Sequence, residues 1–143
     1  MTTKRKVQLA LLITAVIMYT TIVLATRDNL FNEEVIEKLE IEEITKIEII
    51  SVSDNKTINI TKQKAIETFM EQFDKRTIRK TRYKEQSLNE AYWITLKIND
   101  NRSVGLKVDD TNHLFVYLVD ENYMKDYKIL DSFDLQFIKK LFD

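Results

Sequence analysis

The chain has 143 residues, with 22 Lys and Arg against 23 Asp and Glu, one Gly, no Pro and no Cys, and a formal charge of −1. Without cysteine there is no disulfide framework, no thiol nucleophile and no cysteine-linked lipid. A single glycine rules out a Gly-rich phosphate cradle. All 23 acidic residues lie after Arg27 but only 18 of the 22 basic ones do, so this part carries a formal charge of −5, which argues against a general nucleic-acid binder.

Lys4, Arg5 and Lys6 precede an uncharged, largely apolar run from Val7 to Ala25, closed by Arg27 and Asp28. A hydrocarbon core about 30 Å thick needs about 20 helical residues, and this run supplies them with no Gly or Pro to break the helix. Three cations before the run against Arg27 after it keep the N-terminus in the cytoplasm and export the remainder. The expectation is a single-pass anchor through residues 7–25. The alternative is a signal cut after Ala25, but the run exceeds the roughly 7–15 apolar residues of a typical signal and lacks a polar, helix-breaking stretch before the cut.

Residues 28–43 read as a juxtamembrane helical connector: Asn32 is placed to cap a helix with Glu33 and Glu34 in its first turn, and Val35, Ile36 and Leu39 form a thin apolar stripe packed lightly on the domain. The exported domain spans 44–143. Ile47 and Ile49 alternate with Lys46 and Glu48, and Ile58 and Ile60 with Thr57 and Asn59, across the turn Ser53-Asp54-Asn55; this is a β-hairpin. Thr61 is the expected cap of a helix reaching Asp74, in which Ile66, Phe69, Met70 and Phe73 share one face.

Thr77 to Ser87 suits an edge strand or a long loop, since Ile78 and Tyr83 are its only large apolar residues. Lys75, Arg76, Arg79, Lys80, Arg82 and Lys84 crowd this window and form a candidate surface for an anionic partner, such as lipid head groups or teichoic-type polymers; a charged edge strand that discourages sheet association gives the same pattern. A hairpin follows, with Tyr92, Ile94, Leu96 and Ile98 on one strand, Val104, Leu106 and Val108 on the next, and Asn99-Asp100-Asn101 as its turn. Gly105, inside the second strand, implies a bulge or an aromatic ring lying close, with Trp93 across the hairpin as the candidate ring.

His113 to Val119 is apolar on both faces and reads as a central strand. Tyr123 to Ile129 is its partner across Asp120-Glu121-Asn122. Asp131 or Ser132 then opens a closing helix, with Asp134 in its first turn, Leu135, Ile138, Leu141 and Phe142 inward, and Lys139 and Lys140 at its end. With so little Gly, the turns fall to Asn and Asp, which tolerate φ > 0 better than other side-chain-bearing residues.

The fold expected is α+β: a transmembrane helix, then an antiparallel sheet of about five to six strands with two packed helices on one face. No HExxH, GxSxG, GxGxxG or P-loop pattern occurs, and His113 reads as a partly exposed strand residue, so neither a catalytic site nor a cofactor nor a metal is expected. Carboxylate chemistry is the one enzymatic alternative. Asp109 with Asp110, or Asp120 with Glu121 and Asp126, are its candidates, although they read as solvated turn residues and lack the spacing of a calcium loop.

The strand Ile44-Thr-Lys-Ile-Glu-Ile49, the helix Lys62 to Phe73, and Tyr127-Lys-Ile-Leu130 leading into Phe133 to Phe142 follow one another in an order that resembles small membrane-anchored exported α+β proteins of Bacillus-like Firmicutes. The resemblance covers residues 44–142 and carries over no functional residue. A folded domain on a single anchor without a catalytic constellation points to a non-enzymatic extracytoplasmic binding domain with a protein or envelope component as partner, and the lack of cysteine together with the abundance of Ile, Lys and Asn points to a Gram-positive cell envelope.

Overall fold

A computed structural model of the chain describes residues 3–25, 27–82, 90–98, 103–118 and 121–143. The first element, α1 (Thr3–Ala25), is one unbroken helix whose described side chains are all exposed, and the stretch Arg5–Leu24 is long and apolar enough to cross a membrane. The hydroxyls of Thr14, Thr20 and Thr21 each bond to the carbonyl four residues back, at 2.8–3.0 Å, so these polar groups are satisfied within the helix as lipid requires.

Eight strands follow among the described residues: β1 (Asp28–Leu30), β2 (Lys46–Ser51), β3 (Thr57–Ile60), β4 (Thr77–Lys80), β5 (Ala91–Lys97), β6 (Ser103–Asp109), β7 (His113–Leu118) and β8 (Tyr123–Ile129). They form one sheet in the order β1-β4-β8-β7-β6-β5-β2-β3, antiparallel throughout. The helices of this part are α2 (Gln63–Asp74) and the single turn α3 (Gln136–Lys139), and a π-helical turn at Asn32–Glu37 lies between β1 and β2. The α+β class holds, but the strand count rises from five or six to eight. The additions are β1, in the stretch read as connector, and β4, which lies between β1 and β8 and is not an edge strand.

Alternation along the strands decides what is buried. Ile47 and Ile49, Ile94 and Leu96, Leu106 and Val108, Leu114 and Val116, Tyr127 and Ile129, and Ile78 all turn to one face and are essentially inaccessible. There they meet Ile66, Phe69, Met70 and Phe73 of α2, the face anticipated from helical spacing, together with Phe133, Leu135 and Ile138. Phe73 is the hub, with ring centroids 5.4 Å from Phe31, 5.7 Å from Phe69, 5.2 Å from Phe133 and 6.0 Å from Phe137. Each such large apolar side chain contributes about 1.5–3 kcal/mol by leaving water.

The stretch after α1 is packed more heavily than its thin apolar stripe suggested. Phe31 and Val35 are fully buried, Leu39 and Ile41 nearly so, and β1 pairs with β4 through Asp28↔Arg79 and Leu30↔Thr77. Other local expectations also change. Lys62, not Thr61, precedes the first turn of α2 and makes no side-chain cap. The closing helix shrinks to one turn: Asp134 accepts from the Gln136 N–H at 2.9 Å, while Asp131 accepts from the Thr77 N–H of β4 at 2.5 Å. Leu141, expected inward, is 43 % exposed.

The described strand-to-strand turns obey the Asn rule, while Glu40, at φ 48° in the turn after the π-helical segment, departs from it. Asn55, Asn112 and Asn122 have φ of 52°, 59° and 49° in the β2–β3, β6–β7 and β7–β8 connections. The turn at Asn99-Asp100-Asn101 lies outside the described residues. From β3, at one edge, the chain reaches β4 near the other, about six strand spacings or 29 Å away; α2 provides about 18 Å of that crossing. This diagonal helix covers one face, and the opposite face carries Trp93, Lys107, Phe115 and Asp126.

Candidate functional site

On the face away from α2, strand register lines up one row: Trp93 pairs with Lys107, Lys107 with Phe115, and Phe115 with Asp126. Gly105, Tyr117 and Met124 form the adjoining row. Gly105 marks no bulge, because the β5–β6 register runs without interruption from Ala91↔Asp109 to Lys97↔Ser103. It marks the close approach of a ring, and that ring is Tyr117, not Trp93: a Cβ at Gly105 would fall inside the phenol. Tyr117 therefore lies low on the sheet, edge-on to Trp93 at 5.8 Å and nearly parallel to Phe115 at 5.8 Å. The Lys107 ammonium sits 5.5 Å from the Trp93 ring centre, a cation–π distance.

Beside this aromatic patch the β6–β7 turn builds a charged triad. Asp109 is wholly buried, and its Oδ1 accepts from the Thr111 N–H at 2.9 Å, the Thr111 hydroxyl at 2.6 Å and the His113 N–H at 3.3 Å. Such an Asx arrangement fixes the turn. Its Oδ2 faces His113 Nδ1 at 3.5 Å, too long for a well-formed hydrogen bond but close for a charge contact, while His113 Nε2 lies 2.8 Å from Asp126 Oδ1. His113 is thus bracketed by two carboxylates. Burial pushes Asp109 up, yet the bonds from His113 and Thr111 outweigh it and hold the acid at about 2. Burial pulls His113 down, and Asp109 and Asp126 together more than reverse this, leaving its pKa above the usual 6.5.

Trp93, Lys107, His113, Phe115 and Asp126 line an open depression of about 310 Å³. Asp109 and Asp126, grouped only in separate candidate pairs by sequence, meet here through His113. Asp110 and Glu121 stand exposed, and Asp120 lies outside the described residues. His113 itself begins β7 and is 11 % exposed at its side chain, in keeping with the partly exposed strand residue expected. The sequence carries no reliable signal for this grouping: the strand end and turn expected at 120–122 set His113 against Ile129, whereas the observed register pairs Leu118 with Tyr123 and sets His113 opposite Lys128 and diagonal to Asp126.

The basic window is dispersed by the fold. Arg76 donates to the Gln72 carbonyl at 2.8 Å and the Ser132 carbonyl at 2.9 Å and lies over Phe133. Arg79 grips Asp28 with two bonds, of 2.6 and 3.1 Å, tying β4 to β1. Lys80 Nζ reaches Glu34 at 3.0 Å, where Glu34 also pairs with Lys38 at 3.1 Å and accepts from the buried Tyr127 hydroxyl at 3.1 Å. Burial pushes Glu34 up, but Lys80 and Lys38 hold it below the ordinary glutamate value. Lys75 and Arg82 are exposed, and Lys84 lies outside the described residues.

A second concavity, of about 570 Å³, runs between α2 and the closing segment, lined mainly by Ile60, Ala65, Phe69, Phe137 and Leu141. Among the described residues no three His, Asp or Glu side chains group as metal ligands. Comparison with family models, with curated proteins and with solved structures finds no match to the chain.

Proposed function

We propose that the protein is a membrane-tethered extracytoplasmic binding domain of the cell envelope, non-catalytic, with a protein or envelope component as its partner. The observation that carries this reading is the join between α1 and the sheet: Ala25 ends an exposed apolar helix, and Asp28 already pairs in β1. Two intervening residues reach about 10 Å at most, so a helix held in lipid keeps the domain against the membrane surface. Lys4, Arg5 and Lys6 before the helix orient it with the domain outside.

The retained tether is favoured over cleavage after Ala25 by the length of the apolar run. Cleavage there would leave β1 whole, and the same domain would be secreted. The non-catalytic reading is supported by what Asp109 does: its Oδ1 accepts three bonds that shape a turn, which is a structural task. The order of elements that resembles small anchored proteins of Bacillus-like Firmicutes is consistent with this location.

Since the chain has no cysteine, one introduced thiol reports topology. Lys56→Cys, exposed beside the β2–β3 turn, is expected to react with a membrane-impermeant maleimide on intact cells, and Thr2→Cys only after lysis. The reverse pattern would overturn the orientation. The mass of the mature protein separates tether from secretion.

A further inference from the structure

The chain has one Trp, one His and one Gly, and all three lie on the same patch of the outer sheet face. The core explains none of them: Trp93 and His113 project away from α2, and Gly105 is required only because Tyr117 lies on it. Tyr117 thereby sinks to the level of the sheet and, nearly parallel to Phe115, extends a low aromatic floor. Around Phe115 stand an ammonium, an imidazole and a carboxylate, from Lys107, His113 and Asp126.

Charge narrows the ligand. Among the groups that line and brace the depression, Lys107 and a protonated His113 are offset by Asp126 and Asp109, so this lining offers neither an anion nor a cation a net attraction; Lys128, opposite His113 in register, stands outside the lining. The Trp93 face is already approached by Lys107, which argues against an aromatic cage for a quaternary ammonium. A neutral ligand with an apolar flat side and a rim of hydroxyls fits what remains. A pyranose ring has this form: its axial C–H groups meet the negative face of an aromatic ring, and its hydroxyls both donate and accept. A volume of about 310 Å³ stands at the small end of ligand clefts.

We infer that this depression is a carbohydrate subsite, in which a neutral pyranose of an envelope polysaccharide lies against Phe115 and hydrogen-bonds to Asp126 and Lys107. His113 is a positioning residue: it takes one Asp126 oxygen at 2.8 Å and is itself braced by Asp109, so the carboxylate meets the sugar in a fixed orientation. Asp126 remains 28 % exposed and accessible to a ligand hydroxyl. The inference rests on the binding-domain reading and supplies its ligand class.

Trp93, the only indole, reports on the site directly. The full-length chain, in a detergent without a sugar head group, is titrated with N-acetylated chitotetraose and, separately, with cellotetraose while Trp93 emission is followed. A saturable change below about 10 mM is expected with at least one of them, and their ratio tells whether the N-acetyl group is read. Phe115→Ala is expected to weaken binding at least 10-fold. The near-isosteric Asp126→Asn, which keeps the side-chain shape should Phe115→Ala fail to fold, is expected to weaken it about five-fold or more, with the circular dichroism spectrum retained. No saturable change with either sugar, or equal binding by folded Asp126→Asn, would overturn the inference. The maleimide labelling pattern would stand unaffected, so a failed sugar site and a failed topology are told apart.

Discussion

Replacing Gly105 with Ala tests the outer face at its most constrained point. A methyl group there coincides with the Tyr117 ring, so the phenol must swing away from the sheet. Overpacking of this kind costs about 1–3 kcal/mol. The cost includes the Trp93 and Phe115 ring contacts, each worth about 0.5–1.5 kcal/mol. Against it stands the gain of about 0.5–1 kcal/mol that Ala ordinarily brings over Gly within a strand. The balance is a destabilisation centred on about 1 kcal/mol, within a range of about 0–2.5 kcal/mol. Urea unfolding of the full chain, followed by Trp93 emission and circular dichroism, measures it and should show the native Trp93 spectrum shifted as its edge-on neighbour leaves. The sharper test is the pair Gly105→Ala with Tyr117→Ser: once the ring is gone, the same Ala should stabilise, and the sign reversal isolates the contact. A Gly105→Ala protein as stable as the parent, with unchanged Trp93 emission, would refute the reasoning.

Other parts of the fold give equally direct tests. Phe73→Ala removes the hub of the ring cluster and should cost about 3–5 kcal/mol in the same urea experiment; a loss below about 1 kcal/mol would mean that the cluster is not closely packed. Residues 28–43 supply Phe31, Val35, Leu39 and Ile41 to the core, so a chain starting at residue 44 should lose its cooperative thermal transition, whereas a dispensable connector would leave it intact. Asp109 has its acid held at about 2 rather than 3.8, so its contribution is complete above about pH 4 and is lost as pH falls through 2. His113 is raised above 6.5, so its contribution is complete below 6.5 and is lost as pH rises through its folded value. Stability should therefore fall on both sides of a weakly acidic plateau, and His113→Gln should flatten the alkaline limb; a limb that persists belongs to another group. Tyr127→Phe, which removes the hydroxyl between Glu34 and Tyr123, should cost about 0.5–1.5 kcal/mol by urea unfolding.

The places where sequence and structure part have physical causes. The Phe31 to Ile41 stretch looked peripheral because a thin apolar stripe carries no information on how deeply it is pressed into a neighbour. β4 looked like an edge because Arg79 and Lys80 resemble edge guards. Both are instead engaged by acids brought from far earlier in the chain, Asp28 and Glu34, and only Ile78 faces the core. The basic window was thus conspicuous in the sequence, but the fold distributes its side chains among local tasks. The outer-face patch was the reverse case. Its members are single residues spread from Trp93 to Asp126, each with an ordinary explanation in isolation, and they become a group only when four strands are laid in register.

What the sequence by itself determined is what depends on neighbours along the chain. A 20-residue apolar run specifies an exposed helix by length and hydropathy, alternation at period two specifies the hairpins, spacing at 3.6 specifies the inner face of α2, and Asn supplies the positive-φ positions of the described strand-to-strand turns when glycine is almost absent. Only the tertiary structure decided the order of strands, the seat of β4 between β1 and β8, the replacement of Trp93 by Tyr117 as the ring over Gly105, and the convergence of Asp109 and Asp126 on His113. These depend on which distant strands pair and in which register. That choice is made by the burial of one whole sheet face at once, since a slip of one residue would turn every core side chain outward.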